Sequence, residues 1–107
     1  MNITITARGY KAPDRLKQYV NDKMNKKERL YEGVFDVDVI LSYEKLTQIA
    51  EVKLKITNKL IIAKEKSEDI FKSIDLVVDN VERQIKRHKE KMRDHKNNKI
   101  ADSLIEI

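Results

Sequence analysis

The chain contains no cysteine and no tryptophan, and it has only two glycines and one proline among its 107 residues. Without cysteine there is no disulfide framework, no thiolate nucleophile and no metal site of the cysteine type. The two glycines, Gly9 and Gly33, lie too far apart to form a glycine-rich phosphate loop. These absences exclude thiol enzymes, zinc-finger modules and nucleotide-binding loops of the common types.

Long hydrophobic runs are absent as well. No apolar segment approaches the roughly 18–20 residues that a membrane-spanning helix requires, and residues 1–5 lack the basic-then-apolar order of a secretion signal. Hydrophobic residues make up 40% of the chain and charged residues 38%, a balance typical of one small domain with a heavily solvated surface. We therefore expect a cytoplasmic protein with a single domain in residues 1–95 and a flexible tail in residues 96–107.

Alternation of apolar and polar residues predicts the strands. It occurs in segments 2–8, 34–43 and 48–57, and a short turn at Asn58-Lys59 predicts a hairpin to a fourth strand at 60–66. The face of the second segment that we expect to be buried carries Phe35, Val37, Val39, Leu41 and Tyr43.

Helical spacing predicts two helices. The first begins near Pro13, continues to about residue 30 and is closed by Gly33. The second is capped by Ser67 and continues at least to Met92. The order β-α-β-β-β-α predicts an α+β fold, in which a four-stranded antiparallel sheet has two helices packed on one face.

The positive charge is concentrated in one segment. The net charge is +5, and residues 83–93 hold six cations and one acid, so that 6 − 1 = +5 accounts for the whole excess. The helix dipole favours cations near a helix C-terminus by only about 0.3–1 kcal/mol each, whereas six neighbouring cations repel one another. An anionic partner explains the segment better, and nucleic acid is favoured over an anionic lipid surface.

Lysines on the first helix add to this charge. Lys23 and Lys27 lie within its apolar stripe, so their ammonium groups should emerge at the edge of the core, beside the second helix. Lys26 and Arg29 flank them, which predicts a cationic groove shared by the two helices. Because aromatic residues make up only 6% of the chain, we expect contacts with phosphates rather than stacking on bases.

Catalytic and metal-binding patterns are weak. His88 lies on the apolar stripe of the second helix, where it is expected to pack, and His95 has no third ligand at a suitable spacing. Asp36 and Asp38 share the outer face of the sheet, where neighbouring lysines can pair with them, and nothing indicates a pocket that would make them an acid–base pair. We expect no enzyme activity, no cofactor, no metal and no small-molecule substrate.

Several separated motifs resemble one family. They are MNITIT at 1–6, LKQYV at 16–20, KMNK at 23–26, VDVILS at 37–42 followed by EK at 44–45, EDIFKSIDL at 68–76 and VERQIKRHKEK at 81–91. Together they resemble the ribosome hibernation-promoting factors, also called ribosome-associated inhibitors, over about residues 1–93. The double-stranded-RNA-binding domain has a similar element order but a basic start to its last helix, whereas the last helix here starts with Ser67-Glu68-Asp69, which would repel phosphates.

The resemblance implies a protein that binds the small ribosomal subunit in the channel for messenger RNA and transfer RNA and so inhibits translation in idle or stressed cells. It would act as a monomer in contact with ribosomal RNA and ribosomal proteins. It carries over Lys23, Lys26, Arg83, Arg87, Lys89 and Lys91 as RNA-binding residues, and charge and geometry add Lys27 and Lys86. Two positions depart from the family pattern: Asn80 stands where relatives often have lysine, and Lys27 where they often have an apolar residue.

Two other functions stay open at this point. A free-standing regulator that binds structured RNA in transcripts would need the same cationic groove. A protein–protein adaptor would use the outer face of the sheet, although the balanced charges there do not favour it. The stretch beyond the helix, about a dozen residues, is too short for a second domain that pairs ribosomes, so we expect a short family member and leave its effect on ribosome pairing open.

Overall fold

The computed structural model describes the backbone of residues 1–105 and the side chains of residues 1–93. Its elements follow the predicted order β-α-β-β-β-α, which confirms the α+β fold. They are β1 (Asn2–Ala7), α1 (Asp14–Asn25), β2 (Asp36–Glu44), β3 (Thr47–Ile56), β4 (Lys59–Ser67) and α2 (Ile70–Ile105). No helix among residues 1–105 is long and apolar enough to cross a membrane.

The four strands lie in the order β1-β2-β3-β4. β1 runs parallel to β2, with Ile5 opposite Val39, while the other neighbours are antiparallel. The expectation of a purely antiparallel sheet was therefore wrong for β1. The reason is that α1 connects β1 to β2 and carries the chain back across the sheet, and such a crossover connection joins parallel strands.

Both helices cover one face of the sheet. The inward residues of β2 and β3 alternate as predicted, because each second residue of a strand points to the same face. α1 contributes Leu16, Val20 and Met24 to the same core. The part contributed by α2 consists of Ile74, Val77, Val78, Val81 and Ile85.

The chain between α1 and β2 differs from the prediction. α1 ends at Asn25 rather than near residue 30, and turns follow up to Gly33, whose φ is 92°. A longer helix would carry Lys27 along the apolar stripe towards the core. The turns instead leave Lys27 exposed and bury Tyr31 and Val34. Because the helix ends early, two apolar side chains enter the core and the lysine stays outside it.

Two aromatic residues expected on the buried face of β2 are exposed. Phe35 is 82% exposed, because regular alternation begins only at Asp36 and Val34 occupies the core before it. Tyr43 is half-exposed, and its hydroxyl lies 3.3 Å from the Gly9 carbonyl, to which it donates a hydrogen bond. Both assignments to the core were wrong.

The start of α2 is capped two residues later than predicted. The Asp69 carboxylate, not Ser67, accepts a hydrogen bond from the Phe71 amide at 2.9 Å. Ser67 bonds instead to the buried Ser73 hydroxyl at 2.6 Å, and Ser73 donates to the Gln48 carbonyl at 2.8 Å, which fastens the helix to β3.

The tight turn before β4 occupies Thr57 and Asn58, one residue earlier than predicted, and the φ of Asn58 is 60°. Further along, α2 continues through most of the segment 96–107. The flexibility expected of that segment stays a prediction. Its last two residues, and the side chain of His95, lie outside the described part.

Candidate nucleic-acid interface

The middle of α2 presents a row of exposed cations. Val81 and Ile85 point into the core, which turns Arg83, Lys86, Arg87 and Lys91 outward. The Arg83 guanidinium lies 3.4 Å from the Asp79 carboxylate, but both side chains are about two-thirds exposed (67% and 69%), so solvent screens this pair strongly. We call residues 83–93 of α2 the basic segment.

The basic segment meets the turns after α1 at an open cleft. The cleft measures about 520 Å³, and Lys26, Lys27, Arg29 and Lys86 line it together with one acid, Glu28. Four cations against one carboxylate create a positive potential in a concave surface, which raises the local concentration of polyanions. The cationic groove was expected between the two helices, whereas this cleft lies between α2 and the turns after α1, because α1 ends at Asn25. Arg29, absent from the predicted binding residues, belongs to it.

Nearer the start of α2 the same groove is neutral. Lys23 and Lys27 reach α2 as predicted, but each one meets a carboxylate: Lys23 Nζ lies 3.0 Å from Asp75 Oδ1, and Lys27 Nζ lies 2.8 Å from Glu82 Oε2. The hydrogen bond to Asp75 raises the pKa of Lys23. Before any ligand is present, Lys23 therefore joins α1 to α2, and Lys27 joins the turns after α1 to α2.

Asp75 also accepts a hydrogen bond from the Tyr19 hydroxyl at 2.5 Å, which raises the pKa of Tyr19. The Tyr19 ring lies edge-on to Phe71, with centroids 5.0 Å apart, and the Lys23 ammonium lies 5.9 Å from the Tyr19 centroid. Lys23 is thus fixed by a carboxylate and an aromatic ring. The sequence contained a signal for this arrangement, since Asp75, Asp79 and Glu82 are spaced to share the helix face that meets α1.

Lys89 binds the protein itself. Its ammonium donates to the carbonyls of Arg29 and Leu30, at 3.1 and 2.8 Å. It holds in place the turns that carry Lys26, Lys27 and Arg29. Backbone carbonyls leave no trace in side-chain patterns, so sequence reasoning missed these partners and assigned Lys89 to RNA.

Two side chains tie α2 to the hairpin between β3 and β4. His88 Nε2 lies 2.8 Å from the Thr57 carbonyl, which can only accept, so this nitrogen carries a proton. Gln84 Nε2 donates to the Ile62 carbonyl at 3.1 Å. Among the side chains described, no group of three or more His, Cys, Asp or Glu residues could hold a metal ion.

The sequence is similar to one family along most of its length. The family model described as "Sigma 54 modulation protein / S30EA ribosomal protein" matches residues 3–93. A protein of Azotobacter vinelandii named ribosome hibernation promoting factor is 34% identical over 91 residues, which cover 85% of each chain. A protein of Salmonella typhimurium with the same name is 32% identical over 95 residues, which cover 89% of this chain and all of the relative.

Solved structures agree with the fold. The N-terminal domain of Protein Y from Thermus thermophilus superposes with a TM-score of 0.74 at 29% identity, covering 82% of this chain and 99% of the other. A ribosomal subunit interface protein from Coxiella burnetii gives a TM-score of 0.80 at 23% identity, covering 84% and 99%, and at that identity it supports the fold alone.

Proposed function

The chain belongs to the Sigma 54 modulation protein / S30EA ribosomal protein family, and we propose that it is a ribosome hibernation factor. It binds the small ribosomal subunit in the channel that messenger RNA and transfer RNA otherwise occupy, and it inhibits translation in idle or stressed cells. Occupying the channel is sufficient for this effect, so the mechanism requires no bond to be made or broken. The protein acts in the cytoplasm, on the ribosome.

The observation that carries the proposal is the cationic cleft between the turns after α1 and the basic segment. Lys26, Arg29 and Lys86 bring their charges together on one concave surface, and Arg83, Arg87 and Lys91 extend that surface along α2. Structured RNA is recognised mainly through its backbone shape and its phosphates. A row of cations on a rigid helix suits that target, because the helix fixes the spacing of the charges.

The structure leads us to divide the eight predicted residues into two groups. Lys26, Arg83, Lys86, Arg87 and Lys91 are exposed, and we propose that they contact ribosomal RNA. Lys23, Lys27 and Lys89 bind carboxylates or carbonyls of the protein, and we propose that they position the others. Arg29 joins the first group because it lines the cleft with Lys26 and Lys86.

The experiment that tests the proposal is co-sedimentation with purified small ribosomal subunits at rising salt concentration. Binding through several phosphate contacts should weaken steeply with salt, because each contact releases a counterion from the RNA. The double variant Arg83→Glu with Arg87→Glu should lose binding at all salt concentrations and keep a cooperative unfolding transition.

The matched control is Lys64→Glu with Lys66→Glu. It makes the same change in net charge on exposed residues of β4, away from the basic segment, and it should bind nearly as well as the unmodified protein. Retained binding in the Arg83 and Arg87 variant, or equal loss in both variants, contradicts the proposal. A protein that binds isolated RNA hairpins as tightly as small subunits in a gel-shift competition would instead be a regulator of transcripts.

A further inference from the structure

Phe35 is a large aromatic side chain left in solvent, 82% exposed at the point where the chain enters β2. Leu60, at the start of β4, is 54% exposed beside it. Neither side chain contributes to the core, so folding does not account for them. Exposed apolar surface of this kind commonly marks a binding site.

Phe35 forms one wall of a cleft on the side of the β3–β4 hairpin. The cleft measures about 520 Å³, within the range of roughly 300–1,000 Å³ that is typical of small-ligand sites. Leu60 supplies further apolar surface, Lys55 and Lys59 supply positive charge, and Thr57 and Asn58 supply polar groups. We call it the Phe35 cleft.

Phe35 lines two clefts that differ in charge. The hairpin side is lined by two lysines and no acid. The second cleft shares Lys55 and Leu60 with the first, but Asp36 and Asp38 line it as well, together with Lys53. An anionic ligand would therefore approach the ring from the hairpin side.

One hydrogen bond links the Phe35 cleft to the basic segment. Thr57 lines the cleft, and its carbonyl binds His88, which lies in α2 between the exposed Arg87 and the half-buried Lys89. The hairpin turn is therefore held against the basic segment. This contact brings the cleft close to the surface that we propose for RNA.

We propose that the Phe35 cleft binds one unpaired RNA base, which stacks on the Phe35 ring while Lys55 and Lys59 contact the neighbouring phosphates. Proteins that bind single-stranded nucleic acid combine aromatic stacking surfaces with cations along the backbone. The cleft has both. This inference rests on the proposed function, and it changes our expectation that the protein contacts phosphates only.

The test uses the absence of tryptophan from the chain. The variant Phe35→Trp carries a single fluorescent reporter in the cleft. Leu46→Trp is its matched control, because Leu46 is 86% exposed in the turn between β2 and β3, where no cleft is proposed. A short single-stranded oligoribonucleotide should quench the emission of Phe35→Trp to saturation and leave Leu46→Trp nearly unchanged, and a fully paired duplex should quench neither.

A second measurement uses the small subunit itself. Phe35→Ala should weaken co-sedimentation on the order of tenfold, the loss expected for one stacked base, whereas Leu46→Ala should bind within about twofold of the unmodified protein. Both side chains are exposed, so neither variant should change the unfolding midpoint.

The outcomes separate this inference from the proposed function. The inference is overturned if oligoribonucleotides do not quench the emission of Phe35→Trp and if Phe35→Ala binds small subunits as tightly as the unmodified protein. The proposed function is tested separately by the Arg83→Glu, Arg87→Glu variant. If ribosomal protein free of RNA shifts the emission of Phe35→Trp to shorter wavelength, and RNA neither shifts nor quenches it, the inference is overturned and the cleft binds a protein. Quenching by oligoribonucleotides in a protein that does not bind small subunits supports the inference and contradicts the function.

Discussion

Glu82 of α2 and Lys27 of the turns after α1 form an ion pair of 2.8 Å in which the carboxylate is nearly buried and the ammonium is not: the side chains are 10% and 53% exposed. The pair explains why a lysine stands in the apolar stripe of the sequence. The lysine brings a counter-charge to an acid that the protein has already removed from water. Lys27 is therefore part of the fold before it is part of any binding surface.

Removing the counter-charge should destabilise the protein. Lys27→Gln leaves the Glu82 carboxylate with less compensation, and because Lys27 is half-exposed we expect a loss of about 1 kcal/mol in the free energy of unfolding. Urea unfolding at neutral pH measures it. Glu82→Gln in the same chain should recover most of the loss, and Lys26→Gln, at an exposed neighbour, should leave stability unchanged. An equal loss for Lys27→Gln and Lys26→Gln would show that the pair contributes nothing specific.

The two groups of cations should differ in how their loss changes salt dependence. Lys86→Gln should weaken binding to the small subunit and reduce the slope of log K against log salt by about one, because one phosphate contact disappears. It should leave hydrogen exchange in residues 26–33 unchanged.

Lys89→Gln should behave differently. It replaces the ammonium that holds the Arg29 and Leu30 carbonyls with a neutral amide on a shorter side chain. The amides of residues 26–33 should therefore exchange faster with solvent in the absence of RNA. Exchange measured by mass spectrometry decides the point. Unchanged protection in Lys89→Gln, with a salt slope reduced as in Lys86→Gln, would return Lys89 to the residues that contact RNA.

The Tyr31 hydroxyl is buried and has no hydrogen-bond partner among the described residues, and burial raises its pKa. Tyr31→Phe removes a polar group that is desolvated without compensation and keeps the ring, so it should stabilise the fold by about 1 kcal/mol. Tyr19→Phe is the comparison, since it loses the bond to Asp75 and should be neutral or destabilising. The thermal unfolding midpoint of Tyr31→Phe should therefore be higher than that of Tyr19→Phe.

The Tyr19–Asp75–Lys23 cluster predicts a dependence on alkaline pH. The pKa values of Lys23 and Tyr19 are both raised, chiefly by their hydrogen bonds to Asp75. A raised pKa means that folding favours the protonated form. The contribution to stability is thus complete below the ordinary values of 10.5 and 10.0 and is lost as the pH rises through the higher folded values.

Asp75→Asn removes the acceptor charge, so the difference in stability between it and the unmodified protein should shrink when urea unfolding is measured at pH 11 instead of pH 8. A constant difference across that range would mean that the cluster does not couple to protonation.

The sequence predicted the strands and their order along the chain well, and the direction of β1 and the connections poorly. In β3, Ala50, Val52, Leu54 and Ile56 alternate with charged residues, and because the period of a strand is two, this alternation determines which residues are buried. The same alternation extends back to Phe35, one residue before β2 begins at Asp36. The sequence pattern does not show where the strand begins, because the packing of Val34 in the core determines it.

The candidate site divides in the same way. The concentration of cations in residues 83–93 could be read from the sequence, because the segment is one helix and its charges are its own. The partners of Lys23, Lys27 and Lys89 lie in other parts of the chain. Those of Lys89 are backbone carbonyl oxygens, which no side-chain pattern reveals. Which of these lysines are engaged within the protein depends on the distance between α1 and α2, which no spacing within either helix determines.

The tethers from Gln84 and His88 to the hairpin end on carbonyl oxygens of Ile62 and Thr57, and every amino acid has a carbonyl oxygen. Substitutions of hairpin side chains can therefore change which base the Phe35 cleft prefers, while the two hydrogen bonds keep α2 in place against the hairpin. In this architecture, preference for a particular nucleotide can evolve separately from attachment to the backbone.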